Sequence, residues 1–445
     1  MNPDGREVAL PIQPLPFRLL TRAVPVRREE VTALVWSFLY FLCLLASYYI
    51  LRPLRDEMGI AGGVQNLPWL FTGTFVAMLA AVPLWSALAS RLPRGRLIPL
   101  AYRFFMGNIL LFFVLFQLEG AEVHAARAFF IWTSVFNLFV VSVFWSFMAD
   151  LFTHEQGKRL FGFIAAGGSA GALLGPALTT ILVTRLGPVN LLLLAAALLE
   201  AATLIVGRLG RIARQHQAPA RDGDAALGGG PFSGIGQVFA SRYLLGISAY
   251  ILFMTMTGTF GYFQQARIVA GTSFTPAART ALFAQIDLLV NAVTIVTQTL
   301  LTARIFTRLG LRFALCLMPA LSSVGFLALA AAPVLSVLVA FQVVRRALEY
   351  AISRPAREVL FTVVSREQKY KSKTFIDTVV HRGGDALSGW TYTALSALGL
   401  ALPTLALAAV PLSALWVVVG LFLGRRQDQL AKAAPVVSLK AGDRA

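Results

Sequence analysis

The sequence predicts an all-α membrane protein, with twelve transmembrane helices in two pseudo-symmetric six-helix bundles. Three observations predict it. Of 445 residues, 57% are hydrophobic and 13% charged, about half the charge of a soluble domain. Twelve apolar runs approach or exceed the roughly 20 residues that a spanning helix needs. The basic residues gather in alternate connecting segments, as cytoplasmic loops do.

The runs cover 31–52, 66–90, 97–118, 125–150, 158–184, 188–207, 241–266, 277–303, 310–331, 334–363, 371–398 and 401–424. The interval 208–240 is polar and Gly-rich and cannot span a bilayer. The expected organisation is an N-terminal tail (1–30), a first bundle (31–207), a linker (208–240), a second bundle (241–424) and a C-terminal tail (425–445). Arg18, Arg22, Arg27 and Arg28 precede Glu29 and Glu30, and the first apolar run is too long for a signal-peptide core, so no cleaved leader is expected. Cys43 and Cys316 both sit in apolar runs and imply no disulfide framework.

Net charge is +18, from 39 Lys and Arg against 21 Asp and Glu. With the N-terminus in the cytoplasm, 27 of the 39 bases fall in cytoplasmic segments and 6 in external ones. That split predicts that both termini and the linker are cytoplasmic. It also explains most of the basic excess without nucleic acid. The remaining six, Arg103, Arg345, Arg346, Arg354, Arg357 and Arg382, lie within apolar runs.

The halves echo each other. Ser90 to Arg96 separates runs 2 and 3, and Thr307 to Arg312 separates runs 8 and 9; both are rich in arginine. After run 4 comes Leu151-Phe152-Thr153, then Glu155-Gln156 and Phe163; after run 10 comes Leu360-Phe361-Thr362, then Glu367-Gln368 and Phe375. Two six-helix repeats of this kind resemble major facilitator transporters. The basic loops resemble that superfamily's motif, with Ser90 and Thr307 where its Asp usually stands.

A charge at the bilayer centre costs about 3 kcal/mol or more, so it faces a cavity or a partner. In the first run, Tyr48 and Arg52 share a helical face that Arg55 continues, with Asp56 and Glu57 following. The plain reading is an external, self-neutralising Arg/Asp pair; the functional one is anion capture at the outer mouth. The fourth run carries Asn137 and Asp150, the latter placed where an acid meets loop bases. Gly167, Gly171 and Gly175 in the fifth read as close helix packing. No Gly-Lys-Ser/Thr follows them, so the phosphate-loop pattern is absent. The eighth places Asp287, Asn291, Thr294 and Gln298 on one stripe, which either lines a cavity or joins helices.

The tenth run is the densest: Arg345, Arg346, Glu349, Tyr350, Arg354, Arg357 and Glu358. Arg345–Glu349 and Arg354–Glu358 are expected i,i+4 pairs. The eleventh sets Asp377, His381, Asp385 and Ser388 on one face, with Arg382 alongside. An imidazole between two carboxylates would relay protons, since it titrates near neutrality; a static network neutralising the arginines is the other reading. The four scattered histidines have no metal-ligand spacing, so no metal or cofactor is expected.

The runs at 48–56 (Tyr-Tyr-Ile-Leu-Arg-Pro-Leu-Arg-Asp) and 370–385 (Tyr-Lys-Ser-Lys-Thr-Phe-Ile-Asp-Thr-Val-Val-His-Arg-Gly-Gly-Asp) resemble motifs of the bacterial ATP/ADP translocase (nucleotide exchange) family and its free-living relatives. Arg55 replaces that family's usual Lys, and Glu57 to Ile60 departs from its usual β-branched stretch. The resemblance implies a secondary transporter of an organic anion in a bacterial inner membrane.

The leading expectation is therefore not an enzyme but a transporter that moves or exchanges a phosphorylated anion, such as a nucleotide, by alternating access. Tyr48, Arg52, Arg55, Asn291, Arg345, Arg346 and Tyr350 are the expected substrate-binding residues, since the planar guanidinium suits phosphate. Asp56, Asp287, Glu349, Asp377, His381, Arg382 and Asp385 are the expected coupling or gating residues. No residue is expected to be catalytic. The expected partners are a small anion and the lipid bilayer, and the chain is expected to be a monomer. The alternative is a proton-coupled exporter of amphipathic compounds or drugs, with acids such as Asp287, Asp377 and Asp385 carrying protons. A receptor or scaffold would need a soluble module larger than the linker and tails provide.

Overall fold

The structure, a computed structural model, describes residues 26–91, 94–216 and 234–433; the side chains of 85–96, His154, 213–216, Arg366, Glu367, Tyr370 and Ala433 are also outside the description. Much of both tails and of the linker, and the side chains of the first basic loop, therefore lie outside the described residues.

Among the described residues, twelve long helical segments run back and forth. The first six are α1 (Val31–Ala61), α2 (Leu67–Arg91), α3 (Arg94–Leu115), α4 (Glu122–Leu151), α5 (His154–Leu186) and α6 (Leu191–His216). A short helix, Ile235–Ala240, leads into the second six. These are α7 (Arg242–Ala270), α8 (276–309), α9 (Gly310–Ala331), α10 (335–360), α11 (366–397) and α12 (Leu402–Ala433). No strand occurs among the described residues. The face at which α1 begins is the start face below, and the opposite one the far face.

Ten of the helices are long and apolar enough to cross a membrane by length and composition. The charged α10 and α11 complete the set of twelve. Outward surfaces carry large apolar side chains, such as Leu84 (69% exposed), Phe104 (64%) and Ile181 (63%). An apolar surface this widespread suits lipid rather than water.

Lipid removes the hydrophobic drive between helices, so close packing must hold the bundles. In the first bundle α5 supplies it. A methyl group on Gly167, Gly171 or Gly175 would run into the carbonyls of Phe38, Leu42 and Ala46 on α1. The expected packing stripe is thus seen as a backbone-to-backbone contact. Beside it, the rings of Phe41 and Phe144 stack 3.9 Å apart. Between bundles, α5 packs on α8, α2 on α11, and α1 on α8.

The internal repeat reappears as matched helix starts. Thr153 caps α5, accepting from the Gln156 amide, while its own amide donates to Gln156 Oε1 at 2.9 Å. Ser365 caps α11, accepting from the Gln368 amide at 3.3 Å. The Glu-Gln pairs that betray the repeat in sequence belong to N-terminal caps.

Three expectations about local structure change. First, the run expected to end at 52 continues as α1 to Ala61, straight through Pro53. Arg52 and Arg55 therefore lie inside a helix rather than at a loop mouth. Second, the eleventh run, expected to begin at 371, begins as a helix at Arg366, so the basic stretch from Arg366 to Lys373 is helical throughout. Third, the second bundle contains π turns at Gln298–Thr302, Ile305–Leu309, Glu349–Ser353 and Ile376–Val380. A π turn shifts helical phase, so i,i+4 arithmetic fails across it.

Overpacking typically costs about 1–3 kcal/mol, so Gly171→Leu is expected to lower the thermal unfolding midpoint and the monodisperse yield in detergent. Gly162→Ala, where nothing lies within 4 Å, should change neither. Equal midpoints for the two variants would remove the packing account.

Candidate functional site

Charged side chains from α1, α8, α10 and α11 meet at mid-depth, with α7 as the opposing wall. Asp287 on α8 is 1% exposed, accepts a hydrogen bond from one guanidinium group and forms an ion pair with a second. Arg346 Nη2 of α10 reaches its Oδ1 at 2.5 Å. Arg52 Nε of α1 stands 3.7 Å from its Oδ2. One carboxylate thus joins a helix of each bundle.

Arg55, one turn further along α1, is held otherwise. Its Nη1 donates to Asp56 Oδ1 at 3.2 Å and its Nε to Ser134 Oγ at 3.1 Å. Its guanidinium lies 3.8 Å from the Phe130 ring centroid, within cation–π range. Tyr262 of α7 donates to Asp56 Oδ1 at 3.1 Å and so ties the pair across the bundles.

Arg345 differs from these three. It is 5% exposed, and its Nε, like that of Arg346, is buried without a hydrogen-bond partner. No carboxylate among the described residues is within ion-pair distance of it. Its guanidinium lies close against α7 at Gly258, where a Cβ would stand 2.8 Å from Arg345 Nη2.

The predicted pairs on α10 are exchanged. Glu349 meets Arg354 at 3.7 Å rather than Arg345, and Glu358 holds Lys373 Nζ at 2.7 Å rather than Arg354. The π turn between Leu348 and Arg354 shifts the helical phase between the two halves of α10. On α11, His381 Nδ1 lies 3.6 Å from Asp385 Oδ2, and Arg382 Nη1 lies 3.4 Å from the same oxygen. Thr259 donates to the other Asp385 oxygen at 2.9 Å. Asp377 stands apart, 3.8 Å from Arg357. The π turn Ile376–Val380 takes it out of line, so His381 does not sit between two carboxylates.

Three adjoining cavities occupy this region. One of about 220 Å³ is lined by Arg52, Arg55, Arg345, Arg346, Glu349, Tyr350, His381, Arg382 and Asp385, among others. A smaller one of about 110 Å³ adds Asp56, Gln265 and Gln342. A third, of about 380 Å³, lies on the start-face side of Arg52 and includes Tyr48, Asn137, Asn291 and Gln298 in its wall. Arg52 lines all three. Of the residues singled out from sequence, Asp287 sits just behind the walls and Asp377 away from them. Gln342, Gly258, Phe130 and Ser134 were not singled out. Gln342 had a signal, lying one helical turn before Arg345 and Arg346. Phe130 and Ser134 had none, because their role depends on tertiary contact.

The profile of the Major Facilitator Superfamily matches residues 37–348, well over half of the chain. The chain belongs to the major facilitator superfamily. No curated protein matches it. Among solved structures it is similar to the nucleoside transporter NupG, in a mutant form, at TM-score 0.62 and 13% identity, over 89% of this chain and 100% of that one. It is equally similar to a POT family transporter in complex with 5-aminolevulinic acid, at TM-score 0.62 and 11% identity, over 90% and 96%. An auto-inhibited POT family peptide transporter follows at 0.60 and 14%, over 93% and 98%. At such identities the likeness shows the fold. As a superfamily member the protein is a transporter and not an enzyme.

In this superfamily protein, contacts near the far face join the two bundles. Glu57 of α1, 1% exposed, takes two hydrogen bonds from Arg279 of α8, at 2.6 and 2.7 Å. Trp69 and Trp390 pack edge to face at 4.8 Å, and Trp390 Nε1 donates to Thr72 Oγ1 at 3.0 Å. Removing one member of a buried pair costs about 3–5 kcal/mol. Glu57→Gln is therefore expected to let an impermeant maleimide reach Gln265→Cys, with Cys43 and Cys316 replaced by Ser. The swap Glu57→Arg with Arg279→Glu should restore protection. Unchanged labelling in Glu57→Gln would show that the pair does not close that face.

Proposed function

We propose that this transporter moves or exchanges an organic, phosphorylated anion, such as a nucleotide, by alternating access. The observation that carries the reading is Arg345. Three neighbouring guanidinium groups are answered: Arg346 and Arg52 by Asp287, and Arg55 by Asp56. Arg345 is buried, faces the same cavities and has no acid at ion-pair distance. An uncompensated buried charge is costly. A site that keeps one is built to receive the opposite charge from a ligand. Arg345 and Arg346, adjacent on α10, would grip a phosphate with paired hydrogen bonds.

Tyr48, Asn291 and Tyr350 would contact the uncharged part of the cargo. Arg52 would be the contact common to both parts, because it borders all three cavities. Cargo entering beside Asp287 would compete for Arg52 and Arg346 and loosen the bridge between bundles. His381, Arg382 and Asp385 would change partners as the bundles rock. The resemblance of 48–56 and 370–385 to ATP/ADP translocase motifs supports a nucleotide. The segregation of bases supports a cytoplasmic position for both termini and the start face, and the resemblance supports a bacterial inner membrane.

The test is nucleotide counterflow in proteoliposomes. A hydrogen bond to a charged group contributes about 1.5–3 kcal/mol, so Arg345→Ala should reduce flux by roughly 10- to 100-fold. Arg345→Lys should recover part of it. Robust proton-driven movement of cationic drugs without anion flux would overturn the reading.

A further inference from the structure

Away from the central cavities, a recess of about 860 Å³ opens at the start face of the second bundle, between the beginning of α7, the α10–α11 turn and the end of α12. Arg242, Arg425 and Arg426 line it, with Ser241, Gln368 and Gln429 as further polar groups. No acid among the described residues lines it. Asp428, the neighbouring carboxylate on α12, is engaged by Arg312 at 2.9 Å. All three arginines are exposed. Arg426 meets only a neutral partner, Gln429 Oε1 at 3.0 Å.

The surroundings are apolar and face outward. Phe422, one helical turn before Arg425 and Arg426, is 46% exposed and lines the recess. Leu245, one turn into α7 from Arg242, is 44% exposed. On the short helix before α7, Phe239 is 69% and Ile235 44% exposed. Bases at helix ends with exposed aromatic and aliphatic groups one turn deeper match the two parts of a lipid. The headgroup lies in the polar layer and the chains in hydrocarbon.

We propose that this recess binds an anionic phospholipid, its headgroup phosphate among Arg242, Arg425 and Arg426 and its acyl chains along Phe422 and Leu245. Charge favours an anionic headgroup over a zwitterionic one, because no described carboxylate in the wall would answer a cationic amine. The recess is separate from the arginine cavities and shares no lining residue with them. A lipid there would tie α7, the α10–α11 turn and α12 together at one end.

The test is titration of delipidated, detergent-purified protein with phosphatidylglycerol, phosphatidylcholine and soluble glycerophosphoglycerol, read by native mass spectrometry and thermal unfolding. Phosphatidylglycerol should bind more tightly than phosphatidylcholine and raise the unfolding midpoint. In Arg425→Ala/Arg426→Ala its affinity should fall by roughly 30-fold, as expected for two interfacial bases. These side chains are exposed, so the lipid-free midpoint should hold. Should the double variant be poorly folded, single Arg242→Ala carries the same comparison. Equal affinity for both lipids, undiminished phosphatidylglycerol binding in the variants, or an equal response to glycerophosphoglycerol alone would each overturn the proposal.

Discussion

Asp287 governs the centre of this transporter. Its carboxylate, almost fully buried on α8, is shared by Arg346 of its own bundle and Arg52 of the other. In a low-dielectric interior neither arginine nor the acid is stable alone. The three therefore hold one another, and with them α1, α8 and α10. Everything else at mid-depth is arranged around that shared charge. Arg55 turns away to Asp56 and the Phe130 ring, while Arg345, adjacent to Arg346 in sequence, is left facing α7 without an acid. Two cations share one anion there, so that triad keeps a net positive charge.

The rest of the architecture divides along the membrane normal. On the far side, the Glu57–Arg279 pair and the Trp69–Trp390 contact close one bundle on the other. The largest of the central cavities extends from Arg52 toward the start face. The glycine stripe of α5 brings that helix against the backbone of α1, which gives the first bundle a rigid spine. Arg52 and Arg55 are carried on that spine, so their positions are set by packing rather than by a loop.

Much of this was legible in the sequence, for reasons that vary from one element to another. Helix number and order follow from hydrophobic length, a property that a bilayer makes nearly local. The glycine spacing in α5 is local too, and its close packing follows directly. The gathering of Arg52, Arg55, Arg345 and Arg346 was also readable, because buried charge of one sign must converge on something. What sequence periodicity missed is partnership. Arg345 with Glu349, Arg354 with Glu358, and Asp377 with His381 are all sound i,i+4 pairs on an unbroken α-helix. Each spans or borders a π turn, whose extra residue per turn leaves no simple mark in composition. The first run reads too short: it stops at 52, yet α1 continues through Pro53 to Ala61, since a proline inside apolar surroundings does not have to end a membrane helix.

Those π turns also have a mechanical meaning. Among the described residues they occur in α8, α10 and α11 and in none of the first six helices. A widened turn stretches the backbone ladder and weakens resistance to bending. The two halves, alike in topology, thus interrupt their helices by different means: interior prolines in α1, α2, α3 and α5 of the first, widened turns in α8, α10 and α11 of the second. Two of those three helices carry Asp287 and Arg345, so the phase of the charged centre is set by turns that only one half possesses among the described residues.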